Sequence, residues 1–175
     1  MYWRSSTTAL GSAGTFSKSL FPGIRLGFVV APSWAQRALV AAKHCADVHC
    51  SVTDQDTLAA FIAGGHMARH VRRMRPIYAA RLQLLLMRLH KDFSHWLEPI
   101  PSVTGLHIAA FAKPSVDIDA IVERARARDV GVYSRRPYYL EGTPRQGIVF
   151  GYGSIGEREI AEGLSRLRRV MASVA

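Results

Sequence analysis

Apolar residues recur along the chain with two spacings, and the change from one to the other marks out the elements. Residues 26–31 form a short apolar run closed by Pro32, which reads as a strand. Ser33 then stands where it can cap a helix over residues 34–46. Thr53, with Asp56 three positions on, is a second candidate cap, for a helix over 54–63 that Gly64 and Gly65 interrupt. A long helix is predicted over 67–93, because Leu82, Leu85, Leu86 and Leu89 keep helical spacing. Pro76 predicts a kink or a break within it.

After Pro99 and Pro101 the character changes. Residues 105–112 read as a strand, 117–129 as an amphipathic helix and 131–134 as a short strand. A loop rich in Arg, Pro and Gly runs to Gly147, a further strand covers 148–153, and a closing helix covers 157–173. Strand, helix, strand, strand, helix predicts an α/β fold class with its helices on one face of the sheet. Two parts are expected, residues 1–80 and residues 81–175, with no internal repeat and no low-complexity tract.

Composition narrows the classes without choosing a function. Hydrophobic residues make up 49% of the 175 and charged ones 21%, close to ordinary globular usage, which argues against wholesale disorder. No apolar run approaches the roughly 18 to 20 residues of a membrane span. The first fourteen residues lack the apolar stretch of a signal peptide, so the expected compartment is the cytoplasm. Cys45 and Cys50 make no disulfide framework, and beside His44 and His49 they fit no standard zinc spacing. The net charge of +10 sits largely in clustered arginines: Arg69, Arg72, Arg73, Arg75 and Arg81, then Arg124, Arg126 and Arg128, then Arg166, Arg168 and Arg169. Each cluster falls in a stretch of helical periodicity, so a solvated helix face explains it. A basic surface also attracts phosphate-bearing partners, including nucleic acid. No helix-turn-helix, zinc finger or aromatic-interleaved pattern accompanies the charge.

The segment that carries chemistry is Thr15–Phe16–Ser17–Lys18, followed by Pro22–Gly23–Ile24–Arg25. The hydroxyls and the guanidinium can hold a phosphate, Arg25 through a planar fork suited to two of its oxygens. Lys18 offers an amine that can act as a nucleophile once it is neutral. A phosphate clamp beside a reactive amine suits pyridoxal phosphate, which needs an anchor and a covalent handle. A surface lysine in a Ser/Thr-rich loop is the plain alternative. A P-loop is excluded, because Thr15, Phe16 and Ser17 separate Gly14 from Lys18, where the motif needs a glycine directly before the lysine.

The string GTFSKSLFPGIRLGFVVAP resembles the cofactor-lysine segment of fold-type-I, pyridoxal-phosphate-dependent aminotransferases of class I/II. It is most similar to the aminotransferase-like domain of the MocR subgroup of GntR-family transcriptional regulators. FIAGGHMARHVRRMRPIYAAR resembles that subgroup's signature helix, and GVYSRRPYYL and GIVFGYGSIGEREIAEGLSRL resemble its small domain. The likeness covers residues 12–172. It implies a remnant of the large cofactor-binding domain in residues 1–80 and an α+β small domain in 81–175. Lys18 then matches the Schiff-base lysine, while Thr15, Ser17 and Arg25 match the positions that hold the cofactor phosphate. Tyr138 and Tyr139 fall near the mouth of the site, where aromatic packing explains them equally well. His66 and His70 become helix residues of the large domain with no third metal ligand.

Two departures qualify these expectations. Catalytic members carry an arginine for the substrate carboxylate in a last-strand pattern like Arg–Leu–Ser–Phe–Ala, and here Val149 stands in its place, with Arg145 lying before the strand. The family's residues before the lysine loop are also missing, among them the aspartate that meets the pyridine nitrogen and the aromatic that stacks on the ring. The resemblance therefore implies a C-terminal fragment that is weak or inactive as a transaminase alone. Amino acids or amines are the implied ligands, a homodimer through the full-length domain is the implied assembly, and DNA would be contacted only by an N-terminal winged helix. The C-terminal part of a genuine aminotransferase is the other reading.

Overall fold

A computed structural model describes residues 11–102, 105–139 and 145–174. The chain divides into two compact units, Met1–Arg73 and Met74–Ala175. In the first, strands β1 (Ser12–Thr15) and β2 (Gly27–Val30) form an antiparallel pair, with a 3-10 turn at Pro22–Ile24 between them. Helices α1 (Ser33–Asp47) and α2 (Val52–Ala63) follow, and α3 (His66–Asp92) begins here and ends in the second unit.

Local chemistry explains most of these boundaries, corrects two expected caps and removes the alternative of a break at Pro76. Ser33 lies inside α1, whose cap is Pro32 with no side-chain bond. A proline needs no amide partner at a helix start, where the first N–H groups are unpaired anyway. The cap of α2 is Ser51 rather than Thr53: its hydroxyl accepts from the Asp54 amide at 3.3 Å. α3 is not interrupted at Pro76. The missing amide leaves only the carbonyl four residues earlier, at exposed Arg72, without its ladder partner, a local loss that water can make good.

The second unit carries the core. Strands β3 (Leu97–Pro99), β4 (His107–Ala112), β5 (Tyr133–Ser134) and β6 (Gly147–Gly151) form an antiparallel sheet in the order β3-β4-β6-β5. Helices α4 (Ile118–Arg126) and α5 (Glu157–Ala172) complete it. Pairing of Ile108 with Phe150 and of Ala110 with Ile148 puts four buried residues on one face. That face meets Leu85, Leu89 and Phe93 from α3 and its end, Ile118 and Ile121 from α4, and Leu164, Leu167 and Met171 from α5 in one hydrophobic cluster. His107, Ala109, Phe111 and Val149 alternate with them, and none is fully buried. Burial on one face only is what period-2 alternation predicts for a sheet covered by helices on one side. The α/β class expected from the element order is the observed one.

Polar contacts set the joints. Asp117 caps α4 by accepting from the amides of Asp119 and Ala120 at 3.1 and 3.2 Å. Arg81 on α3 donates to the Gly153 carbonyl at 2.8 Å, and the Tyr152 hydroxyl donates to the Gly105 carbonyl at 2.7 Å. Tyr152 is buried, and burial pushes its phenol pKa up. Its folded value therefore lies above its unfolded one. The associated stability is complete below the unfolded tyrosine value, about 10, and is lost as pH rises through the folded value. Tyr152→Phe is expected to cost about 1 kcal/mol at neutral pH. It should also flatten the alkaline fall of the urea midpoint. Equal alkaline slopes in both proteins would argue against this role.

Candidate functional site

The four candidate residues of the first unit sit on one hairpin. The β1–β2 ladder runs from Ser12↔Val30 to Thr15↔Gly27, so the chain between is a loop closed at its base. Closure is double: the Phe16 amide donates to the Leu26 carbonyl at 3.0 Å, and the Thr15 hydroxyl donates to the same oxygen at 3.3 Å. The Ser17 amide donates back to Thr15 Oγ1 at 3.1 Å, and the Leu20 amide donates to the Phe16 carbonyl at 2.9 Å. Ser17 and Lys18 thus ride on a hydrogen-bonded turn. Below them the Phe28 ring lies against Gly14, where a Cβ would come within 2.6 Å of it, and packs on Phe16 with ring centroids 5.7 Å apart. Glycine at position 14 is what lets that ring approach the backbone so closely.

The far limb of the loop ends in an unusual conformation. After the 3-10 turn, Arg25 adopts φ 48° and ψ 24°, the left-handed region. A side chain there costs about 1–2 kcal/mol relative to ordinary backbone. Such outliers cluster where the surroundings hold a residue for a purpose. Lys18 and Arg25 are both exposed, and neither pairs with a carboxylate among the described residues. Thr15 is different, because its hydroxyl proton is already committed to Leu26.

In the second unit, Val149 lies on β6, paired with Ala109 and with Tyr133, and is half-buried. Arg145 precedes that strand, and its guanidinium carbon lies 3.6 Å from the centroid of the Phe111 ring. Arg135 lies 4.3 Å from the same centroid, and 5.3 Å from that of Tyr139. Two guanidinium groups on one ring carry no sequence signal, since Phe111, Arg135 and Arg145 belong to separate segments. Tyr138 ends the short 3-10 turn Arg136–Tyr138 and is exposed. Elsewhere, His66 stacks on Phe61 with centroids 5.4 Å apart. Among the described residues no group of three or more metal-ligating side chains converges, and no helix is long and apolar enough to cross a membrane. Cys45 and Cys50 are free thiols.

No family model matches the chain. Individual relatives do. It is 30% identical over 159 residues to the HTH-type transcriptional regulator YhdI of Bacillus subtilis, covering 91% of this chain and 34% of that protein. It is 28% identical over 155 residues to the probable rhizopine catabolism regulatory protein MocR of Rhizobium meliloti, covering 89% and 31%. The chain therefore spans about a third of the length of these curated relatives. Among solved structures it is similar to LysN, the alpha-aminoadipate aminotransferase of Thermus thermophilus. That structure holds N-(5'-phosphopyridoxyl)-L-leucine and matches with a TM-score of 0.85 and 25% identity over 93% of this chain and 41% of its own. In fold the chain matches the C-terminal region of fold-type-I aminotransferases, and in sequence it is homologous both to MocR-type regulators and to aminotransferases.

Proposed function

We propose that the chain is a pyridoxal-phosphate-binding sensor module of a MocR-type transcriptional regulator, and that Lys18 is its covalent anchor. The observation that carries this reading is the β1–β2 loop, closed at its base by hydrogen bonds, which carries Lys18 on one limb and Arg25 on the other with neither charge neutralised by a carboxylate among the described residues. The residues present fit the group. Arg25 supplies the counter-charge for a phosphate, and its planar fork matches two phosphate oxygens. Ser17 supplies a hydroxyl without a described partner. Thr15, with its proton on the Leu26 carbonyl, holds the shape of the loop more than it holds the ligand. When bound, pyridoxal phosphate supplies a ring that withdraws electrons from an amino compound attached to it. Residues 1–80 are then the end of the large domain and 81–175 the small domain.

A regulator is favoured over an enzyme by Val149. A valine donates no hydrogen bond to a substrate carboxylate, and a charge-assisted contact of that kind is worth about 1.5–3 kcal/mol. In this reading an amino acid or amine is sensed rather than turned over, the full-length domain dimerises, and DNA contact belongs to a winged helix N-terminal to this region. The enzyme reading keeps Lys18 and Arg25 in the same roles.

Borohydride reduction in the presence of pyridoxal phosphate, followed by mass-spectrometric mapping, tests the site. A single stable adduct at Lys18, absent from Lys18→Ala, is expected, with no transaminase turnover above the free-cofactor background. Scattered labelling of Lys43, Lys91 and Lys113 that persists in the variant would sink the cofactor assignment. Turnover with any amino donor would instead favour the enzyme.

A further inference from the structure

The fold brings together two arginine clusters that lie far apart in the sequence, one at the end of α4 and one on α5. Arg128, Arg166 and Arg169 line a groove of about 440 Å³ in the second unit. That is within the range of about 300–1,000 Å³ typical of small-ligand sites. We infer that this groove is a binding site for a phosphate-bearing anion, separate from the Lys18 loop.

Two of the three arginines are held by backbone oxygens. Arg166 Nη1 donates to the Arg128 carbonyl at 3.3 Å, and Arg169 Nε donates to the Ser165 carbonyl at 3.5 Å. Carboxylates serve only one of the three: Glu162 and Asp129 both pair with Arg166, Asp129 at 3.9 Å. Arg128 and Arg169 have no acidic partner among the described residues. Asp129 is 94% exposed and sits in the left-handed region at φ 58°, so its carboxylate stands at the rim in solvent.

Basic residues also suit helix C-termini, where they complement the macrodipole. That accounts for a cation near each end, but the end of α4 is already closed by its own backbone. The amides of Arg128 and Val130 both donate to the Ala125 carbonyl, and that of Asp129 to Arg126. Arg166 is offset by its two carboxylates, whereas Arg128 and Arg169 leave two like charges at the groove with no described carboxylate to offset them. An oxyanion that accepts from two or three of these arginines removes the repulsion and gains charge-assisted bonds. Guanidinium groups and phosphate match in charge and in bidentate geometry, which selects phosphate chemistry.

Calorimetric titration of the full chain with pyrophosphate tests the site. Saturable binding is expected in the native protein, with the component that belongs to the groove remaining in Arg25→Gly. Affinity should fall about tenfold or more in Arg128→Gln and again in Arg169→Gln, since one charge-assisted bond is worth at least that much. Arg72→Gln with Arg73→Gln, which removes two exposed charges from α3, should leave it unchanged. The Lys18 loop is itself an anion cradle, so the titration is repeated in Arg25→Gly, where groove binding should persist. Loss of saturable binding in Arg25→Gly, equal weakening in the α3 control, or no saturable binding in the native protein would overturn the assignment. If a short DNA duplex competes with pyrophosphate, and does so only while Arg128 and Arg169 are present, the phosphate comes from a nucleic-acid backbone; if it does not compete, from a small phosphorylated molecule.

Discussion

Phe93→Ala is expected to lower the unfolding free energy of the second unit by about 3–5 kcal/mol, the usual cost of truncating a fully buried aromatic. Phe93 has no exposed surface and is among the largest of the fully buried side chains. Its backbone also ends α3, accepting from the amides of Trp96 and Leu97 while its own amide donates to Leu89. Its ring packs against Trp96 with centroids 6.3 Å apart. Truncation would leave a void where α3, β3 and the sheet meet, lined by side chains that cannot all move inward together. Domains of this size are stable by only about 5–15 kcal/mol, so the loss is a large share of the whole. Each kcal/mol is worth about 4–8 °C in Tm for a 60–100-residue domain, which puts the expected drop above 10 °C. Met87→Ala, on the same helix but 55% exposed, is the control and should change stability by less than about 0.5 kcal/mol. Thermal unfolding followed by circular dichroism measures both. Similar shifts for the two variants would mean that the second unit is not organised around Phe93.

The second large effect separates folding from binding at a single residue. Arg25→Gly is expected to leave stability almost unchanged while weakening pyridoxal phosphate binding about 10- to 150-fold. Glycine accepts φ 48° without strain, which returns what arginine loses in the left-handed region. The greater freedom of glycine in the unfolded chain takes back about 0.5–1 kcal/mol, and the two effects nearly cancel. Binding has no such compensation. Removing the guanidinium deletes a charge-assisted contact of about 1.5–3 kcal/mol, which converts to the stated range in Kd. Arg25→Lys should fall between, because an ammonium keeps the charge and loses the planar fork. Absorbance titration of the cofactor measures the affinity. Unchanged affinity in Arg25→Gly would show that the phosphate is anchored elsewhere.

Much of the fold was legible along the chain because helices announce themselves locally. The leucines from Leu82 to Leu89 marked α3, and Asp117 marked the start of α4, since both signals act within a few residues. Where two local signals competed, neighbours settled the outcome. Ser51 and Thr53 both carry a capping hydroxyl, and the one that lies outside the first turn, facing the Asp54 amide, became the cap. β1 and β3 gave no comparable signal. Ser12–Thr15 is a run of small residues and Leu97–Pro99 is three residues ending in proline. Each is a strand only because a partner, β2 or β4, satisfies its amides and carbonyls.

The candidate site divides in the same way. That Lys18 and Arg25 fall on one short segment, with hydroxyls on one side and a Pro-Gly turn between, follows from residue order, but seven extended positions can span roughly 25 Å, and it is the pairing of Thr15 with Gly27 that closes the segment into a loop. The composition of the clusters at Arg124–Arg128 and Arg166–Arg169 is likewise a property of the chain. What each group is free to do depends on atoms distant in the sequence. The Leu26 carbonyl accepts from the Thr15 hydroxyl, which ties that candidate residue into the closure of the loop. The Arg128 carbonyl orients Arg166, and so makes one groove from two clusters. Local spacing sets which chemistry is available, and long-range packing sets which donors and charges remain unspent, because a hydrogen-bonding group answers to whatever the closed fold places within about 3 Å of it.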